Sequence, residues 1–324
     1  MQHPSPYEKK AYPWGLIGLI LLFPLIMIPL ATVDYEVTIF FYHHKHKLFG
    51  ELMKRTVFQG FKFGASDPAI FFQIIMACFY FCYSPKRKQN SYHYYRPFLG
   101  YVIFSSLVTG LGLVHSVKWI LGRARPHLVF ADKLPYSQWF EFGPHFVSDG
   151  IFYGSFPSGH TATVFLLITV SYWLIGNPQA SRNSKIFGWV WGVLIIILTI
   201  MMAIGRCMTA HHWLSDSVGV TLMVLVSIHL NYYYILKIPQ QVEYFSRQGT
   251  YVPLPRYWEF GLLWRLFFIA MGFMGVVIGI RSVVIGKAPG LILMVLPAVI
   301  MVFYLVRRVR QVYRNSMIQF EDRG

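Results

Sequence analysis

The chain has 324 residues, of which 55% are hydrophobic and only 13% are charged, about half the charged share of a typical soluble domain. Lysine and arginine number 29 against 13 aspartates and glutamates, which gives a formal charge of +16. A nucleic-acid-binding protein would cluster such cations on a soluble surface, whereas here most of them fall between long apolar runs. The composition therefore indicates an integral membrane protein and excludes a nucleic-acid partner.

Stretches of about 18 or more residues without a charged side chain are candidates for transmembrane helices. The long stretches are 12–32, 97–117, 158–180, 186–205, 217–236 and 288–306, and two shorter ones are 68–84 and 266–280. The last of these reaches spanning length if Arg265 extends its charged end to the lipid headgroups. We therefore predict an all-α polytopic membrane protein with eight transmembrane helices, of which the first is a membrane anchor, because it is too long for the core of a signal peptide.

The distribution of lysine and arginine predicts the orientation in the membrane. Most of these cations lie in the N-terminal tail, in alternate loops and in the C-terminal tail, for example Lys9, Lys86, Arg182, Lys237 and Arg307. Short loops that carry an excess of lysine and arginine stay on the cytoplasmic side. Both termini are therefore predicted to be cytoplasmic.

Two polar stretches fall on the outer side. Residues 41–62 carry apolar side chains at helical spacing, with charged side chains between them, which is typical of an amphipathic helix at the membrane surface. The "HHKH" tract at 43–46 lacks a nearby carboxylate or cysteine to complete a metal site, so we interpret it as facing solvent or headgroups and predict no metal site. Residues 127–156 form a long connection rich in aromatic residues, interpreted as a cap that rests at the interface.

The first cluster of polar residues is "KWILGRARP" at 118–126. Lys118 and Arg125 are seven positions apart, so on a helix they share a face about 10 Å apart, while Arg123 points elsewhere. Pro126 is expected to end this helix. Two cations without carboxylate partners suit phosphate. The alternative is that both extend to lipid headgroups.

The second cluster is "SFPSGH" at 155–160. Pro157 suits the first turn of a helix, and the backbone N–H groups of Ser158 and Gly159 would then be unpaired at its positive end, where an anion binds. His160 would lie beside that anion. The alternative is an ordinary histidine at a helix start.

The third cluster is "GRCMTAHHWLSD" at 205–216. His212 and Asp216 are four positions apart, which stacks their side chains on one helix face. Asp216 can then accept a hydrogen bond from one ring nitrogen of His212 and leave the lone pair of the other free to attack. His211 is rotated by about 100° and cannot share this geometry. Counting the helices places all three clusters at the outer surface.

These three motifs resemble the signature motifs of the type-2 phosphatidic acid phosphatase superfamily, K-x-x-x-x-x-x-R-P, P-S-G-H and S-R-x-x-x-x-x-H-x-x-x-D. Every spacing agrees, and the one departure is Gly205, which stands where the third motif has serine. The resemblance covers about the first six helices. It implies a six-helix phosphatase core in 1–237 and says nothing about the residues that follow. In 238–324 the apolar stretches predict two additional transmembrane helices, followed by a basic cytoplasmic tail.

The resemblance also implies a role for each motif residue. The phosphate oxygens would be bound by Lys118, Arg125, Arg206, Ser158 and Gly159. His212 would attack phosphorus and form a phosphohistidine, His160 would protonate the leaving group and later activate water, and Asp216 would hold the tautomer of His212. No metal or other cofactor is required.

A site at the outer membrane surface favours an amphiphilic substrate, a membrane lipid phosphate held in the bilayer. The stretch from Gly122 to Phe165 is similar to bacterial lipid A 1-phosphatases and phosphatidylglycerophosphate phosphatases, which makes lipid A 1-phosphate our first candidate. It also implies a bacterial inner membrane with the site facing the periplasm. Phosphatidylglycerophosphate, undecaprenyl diphosphate and transfer to a second lipid are alternatives, and a non-catalytic phospholipid transporter is the alternative of another class.

Overall fold

A computed structural model describes residues 14–82, 95–150, 153–242 and 258–321. Within these ranges the chain forms helices and no strands. The α-helices are α1 Trp14–His43, α2 Lys47–Lys54, α3 Asp67–Cys82, α4 Arg96–Ser105, α5 Val114–Leu121, α6 Pro126–Val129, α7 Gly159–Phe165, α8 Thr169–Gly176, α9 Arg182–Met208, α10 Leu214–Leu230, α11 Trp258–Val284 and α12 Val295–Glu321. The π-helical segments Ser106–Leu113 and Asn231–Ile235 continue α4 and α10, and a 3-10 turn, Leu166–Ile168, joins α7 to α8.

Seven helices in the described ranges are long and apolar enough to cross a membrane. They are Trp14–His43, Arg96–Val129, Gly159–Gly176, Arg182–Met208, Leu214–Ile235, Gly261–Val284 and Pro289–Gln311. The predicted all-α polytopic membrane fold is therefore confirmed. The eighth predicted span corresponds to α3, whose 16 residues rise about 24 Å, somewhat less than the thickness of a bilayer core, and the predicted residues 83–84 lie outside the described ranges.

The first helix is longer than the predicted stretch 12–32. It continues to His43 and includes Asp34 and Glu36. The predicted stretch was shorter because it contained only residues without a charged side chain. The charge of Asp34 is tolerated because its side chain is fully buried and forms an ion pair of 2.8 Å with Arg123. A paired carboxylate inside the bundle does not have to enter lipid.

The bundle brings several helix ends to one place. The C-terminal ends of α5 and α9 and the N-terminal ends of α3 and α7 line a single cavity. α7 packs between α9 and α10, and α1 packs against α9 and α10. Three motifs that are distant in the sequence therefore meet at one end of the bundle.

The predicted amphipathic helix in 41–62 is the shorter helix α2. Its Leu48 and Leu52 are exposed, while Gly50 and Met53 are buried. The preceding histidine tract belongs to two helix ends: His43 ends α1, and the ring of His46 accepts a hydrogen bond of 3.3 Å from the backbone N–H of Phe49 at the start of α2.

The described part of the long connection 127–156 is packed against the bundle. Its Trp139 donates a hydrogen bond of 3.1 Å to the carbonyl of Met27 in α1, while Phe140 and Phe142 remain exposed. This arrangement agrees with a cap, although Phe152 lies outside the described residues.

The additional helices contact the cap through Arg281 near the end of α11. Its guanidinium donates to the carbonyls of Ile120 (2.8 Å), Gly143 (2.6 Å) and His145 (3.1 Å). α11 also packs along α4 and α5. The division at 237/238 stays a prediction, and several cations used for the orientation, such as Lys9 and Lys86, lie outside the described residues.

Candidate active site

Six of the eight residues predicted to form a site line one cavity of about 480 Å³: Lys118, Arg125, Gly159, His160, Arg206 and His212. The other two, Ser158 and Asp216, are fully buried beside it. The convergence expected from the motifs is therefore observed, but the local backbone differs from the prediction in all three.

The first motif is not one continuous helix. α5 ends at Leu121, because Gly122 adopts a left-handed conformation with φ of 61°, which other residues rarely adopt. Arg125 is extended and precedes the short helix α6, which begins with Pro126. The predicted helical face shared by Lys118 and Arg125 is therefore wrong, as is the expectation that Pro126 ends the helix. The turn at Gly122 brings both cations to the cavity instead.

Lys118 is held in place by the cap. Its side chain is 5% exposed, and its ammonium group donates a hydrogen bond of 3.0 Å to the carbonyl of Gly154. A Cβ atom on Gly154 would lie 2.8 Å from Cγ of Lys118, so the contact requires glycine there. Sequence analysis did not identify this residue.

In the second motif the helix begins at Gly159, and Ser158 is its N-cap. Pro157 therefore precedes the helix instead of entering its first turn. The N–H of Ser158 is not available to an anion, since it donates to the carbonyl of Asp216 at 3.1 Å, and the hydroxyl of Ser158 bonds with Thr161. Gly159 faces open space, because a Cβ atom there would meet nothing within 4 Å. The expectation that the N–H group of Ser158 is unpaired is therefore wrong, whereas phosphate binding by Ser158 stays a prediction.

His212 contacts Asp216, as predicted, but not on a shared helix face. α10 begins at Leu214, so His212 precedes the helix while Asp216 lies in its first turn. Nδ1 of His212 lies 3.3 Å from Oδ2 of Asp216. Because a carboxylate can only accept, Nδ1 carries the proton and the lone pair of Nε2 is free.

His211 has a different environment. Its Nδ1 lies 2.7 Å from the carbonyl of Thr209, and its ring packs near that of His127, with centroids 5.6 Å apart. His211 also lines the cavity, but Asp216 does not orient it.

Both histidines are held neutral by their surroundings. Burial, followed by the positive charge of Arg206, lowers the pKa of His211 to about 3. Burial and then the charges of Arg206, Lys118 and Arg125 lower the pKa of His212 well below its ordinary value. An imidazole that resists protonation keeps its lone pair at neutral pH, as a nucleophile requires.

Asp216 is the centre of a buried hydrogen-bond network. Besides His212, it accepts hydrogen bonds from the backbone N–H of Trp213 (2.8 Å) and from the hydroxyl of Ser155. Arg123 donates to its other oxygen at 2.9 Å. With this many donors the carboxylate is fixed in position, and it in turn fixes the ring of His212.

Arg123 connects this network to α1. As expected, it points away from the other two cations of its motif, but sequence analysis gave it no role. Its guanidinium also donates to Asp34 at 2.8 Å, to the hydroxyl of Ser215 at 2.7 Å and to the carbonyl of Ser137 at 2.8 Å. An aspartate within an apolar helix indicates a functional or paired group, and this signal would have singled out Asp34.

The buried polar atoms at the cavity that have no hydrogen-bond partner in the described part of the chain include Nε2 of His160 and Nε of Arg206. Arg206 is only 3% exposed. Buried polar atoms normally have partners, so these two indicate where oxygen atoms of a ligand would bind. Within the described ranges no three histidine, cysteine, aspartate or glutamate side chains could together hold a metal ion, and the metal-free mechanism stays a prediction.

Comparison with known families gives one match: residues 94–239 match the family model described as PAP2 superfamily. The matched range contains all three motifs and every predicted site residue. No curated protein and no solved structure matches the chain in the corresponding searches.

Proposed function

Residues 94–239 are a PAP2 superfamily domain, which implies phosphatase activity on phosphate esters, and on this premise we propose that the protein dephosphorylates a membrane lipid through a phosphohistidine intermediate. The observation that carries the proposal is that the three cations and the two histidines of the sequence motifs converge on one cavity, at one end of a bundle of membrane-spanning helices. In this proposal His212 is the nucleophile.

Lys118, Arg125 and Arg206 bind the phosphate oxygens. Arginine matches phosphate with its planar fork of donors, and lysine adds a point charge. The open space at Gly159 leaves room for an oxygen close to the backbone. Positive groups fixed before the substrate arrives stabilise the charge that develops on the transferred phosphoryl group.

In the first step Nε2 of His212 attacks phosphorus and the bond to the lipid oxygen breaks. The electron pair of that bond stays on the lipid oxygen, which takes a proton from His160. In the second step His160 removes a proton from water, the resulting hydroxide attacks the phosphohistidine, and the P–N bond breaks to release phosphate. Asp216 accepts the Nδ1 hydrogen bond of His212 throughout and stabilises the positive charge on the ring.

The apolar part of the cavity supports a lipid substrate. Beyond the cations the cavity extends between α3, the π-helical segment Ser106–Leu113 and α7. Its wall there includes Ile70, Leu111 and Leu166. Leu111 is 55% exposed on the outside of the bundle, where lipid would surround it. A phosphate can thus reach the cations while its tails remain in the bilayer. The candidate substrates are lipid A 1-phosphate, phosphatidylglycerophosphate and undecaprenyl diphosphate. We propose that the protein lies in a bacterial inner membrane, with the site on the periplasmic side and both termini in the cytoplasm.

The test is phosphate release by detergent-purified protein from a panel of these lipids. His212→Ala should abolish release, whereas His211→Ala, its neighbour in the same cavity, should retain most of it. His160→Ala should lose about 10²- to 10⁴-fold, the contribution of a general acid, and less with a good leaving group. Inactivation by His211→Ala and not by His212→Ala would contradict the assignment.

Two further measurements complete the test. Rapid acid-free quenching with ³²P-labelled lipid should trap a base-stable, acid-labile phosphoprotein in the wild type and none in His212→Ala. EDTA should leave the rate unchanged, and lost activity restored by a divalent cation would contradict the metal-free mechanism. Labelled phosphate that appears on a second lipid, instead of in solution, would identify a phosphotransferase.

A further inference from the structure

Gly205, the one departure from the family motif, lies against helix α2. A Cβ atom on Gly205 would lie 2.3 Å from Cγ and 2.4 Å from Cβ of Met53. Contacts this short cannot be relieved by a side-chain rotation, because Cβ of Met53 is attached to the backbone of α2. The serine of the family motif would therefore push α2 away from α9.

α2 is fixed on α9 at several points. Met53 is 4% exposed, and Gly50 approaches Thr209 so closely that an added Cβ atom would lie 3.1 Å from its Cγ2. The loop after α2 is held by Asp67, which accepts hydrogen bonds from the hydroxyl of Thr56 (2.5 Å) and the N–H of Gly64 (2.7 Å). Lys54 lies between these two fixed points.

Docking of α2 adds Lys54 to the cavity that contains Lys118, Arg125 and Arg206, and no aspartate or glutamate is among the described residues that line it. A phosphate monoester carries a charge of about −1.5 to −2, and three cations are enough to neutralise it. A fourth cation therefore favours a ligand that carries more negative charge than one phosphate monoester.

A second observation comes from the start of α3. Ser66 lines the same cavity and is 1% exposed, and its hydroxyl has no hydrogen-bond partner in the described ranges. Ser66 directly precedes Asp67, the residue that holds the loop after Lys54. The cavity wall formed by Lys54, Thr56 and Ser66 thus contains a cation and a buried hydroxyl that the proposed reaction does not use.

We infer that Lys54, together with Ser66, binds the phosphate group that is not transferred, so that the site is built for a lipid diphosphate, and that Gly205 permits this by letting α2 dock. The inference rests on the proposed function. His212 attacks the terminal phosphorus, the bond to the bridging oxygen breaks, and its electron pair stays on the lipid monophosphate, whose charge Lys54 neutralises. Lys54 is thus a binding residue, and Gly205 is a positioning residue.

The test compares Lys54→Gln with Lys47→Gln, which removes the same charge from an exposed position on the same helix that does not line the cavity. The first measurement is inhibition by inorganic pyrophosphate and by inorganic phosphate. The second is kcat/KM for a polyprenyl diphosphate and for the monophosphate of the same polyprenyl group. Lys54→Gln should lower the preference for the diphosphate ligands over the monophosphate ligands about tenfold, the effect of one hydrogen bond to a charged group, and Lys47→Gln should preserve it. Gly205→Ala should lower the preference in the same direction.

An unchanged preference in Lys54→Gln, or equal losses in Lys54→Gln and Lys47→Gln, would overturn the inference. Calorimetric titration of pyrophosphate and phosphate into the purified protein separates this result from a failure of the proposed function, because it needs no turnover. A wild-type protein that binds both anions equally would overturn the inference even if the enzyme is an active phosphatase. Should Gly205→Ala fail to fold, the two lysine variants decide the question.

Discussion

Replacement of Arg123 by methionine removes a guanidinium that lies between two buried carboxylates. Asp34 and Asp216 contact it at 2.8 and 2.9 Å, and all three side chains are 0% exposed. Removing one partner of a buried ion pair costs about 3–5 kcal/mol, because the charge that remains has no compensation. Here two like charges remain, so we expect a loss of stability at the upper end of this range.

Arg123→Met should also lower activity for a reason separate from stability. Asp216 keeps its hydrogen bonds from Trp213, Ser155 and His212 but loses the donor that holds its other oxygen. A shift of the His212 ring on the order of 1 Å would lower kcat about 10²-fold. KM should change less, because Arg123 does not line the cavity.

The double variant Arg123→Met with Asp34→Asn separates the two effects. Asp34 does not contact the histidines, so neutralising it should recover part of the lost stability and little of the lost kcat. Unfolding of purified protein in detergent, followed by tryptophan fluorescence, measures the first, and phosphate release measures the second. The matched control is Arg55→Met, which breaks an exposed ion pair of 3.3 Å with Glu51 and should cost less than about 1 kcal/mol.

The reasoning is refuted if Arg123→Met unfolds at the same denaturant concentration as the wild type. It is also refuted if the double variant recovers kcat together with stability, since Arg123 would then act on activity only through folding.

Three further predictions follow from contacts around the site. Gly154→Ala places a methyl group 2.8 Å from Cγ of Lys118, so the cap must shift and release the ammonium group; phosphate-release kinetics should show a higher KM, and an unchanged KM would contradict the role of this contact. Arg281→Gln removes charged donors to carbonyls in 120–145; kcat/KM should fall and proteolysis of the cap should accelerate, and a normal cleavage rate would show that α11 does not hold it. The pKa of His212 is lowered mainly by burial, so the acid limb of kcat/KM should lie below pH 6.5, as measured with an aryl phosphate whose own titration is subtracted. Because the unfolded chain takes up this proton near pH 6.5 and the folded chain does not, stability should fall as the pH drops below that value, and a stability that rises on acidification in that range would contradict the neutral state of His212.

The sequence alone determined the class of the fold and identified most of the motif residues that the structure brings together at one cavity. Apolar runs of spanning length are local features, and a membrane leaves the backbone little choice but to form helices across them. The residues of each motif are close in the sequence, so their spacing was informative even where the predicted backbone was wrong: His212 meets Asp216 although His212 lies outside the helix. The pairing of a histidine with a carboxylate depends on distance, which several backbone conformations can satisfy.

Only the tertiary structure decided which groups support the site. Asp34 reaches Arg123 across 89 positions, Arg281 reaches the cap across more than a hundred, and Gly205 accommodates a methionine of a helix that lies far earlier in the chain. None of these contacts leaves a periodic pattern, because each depends on how whole helices pack. The left-handed turn at Gly122 could not be predicted from the sequence either, since a glycine permits such a turn but does not require it. The reactive residues could therefore be predicted from the sequence motifs, whereas the residues that orient them depend on how the helices pack.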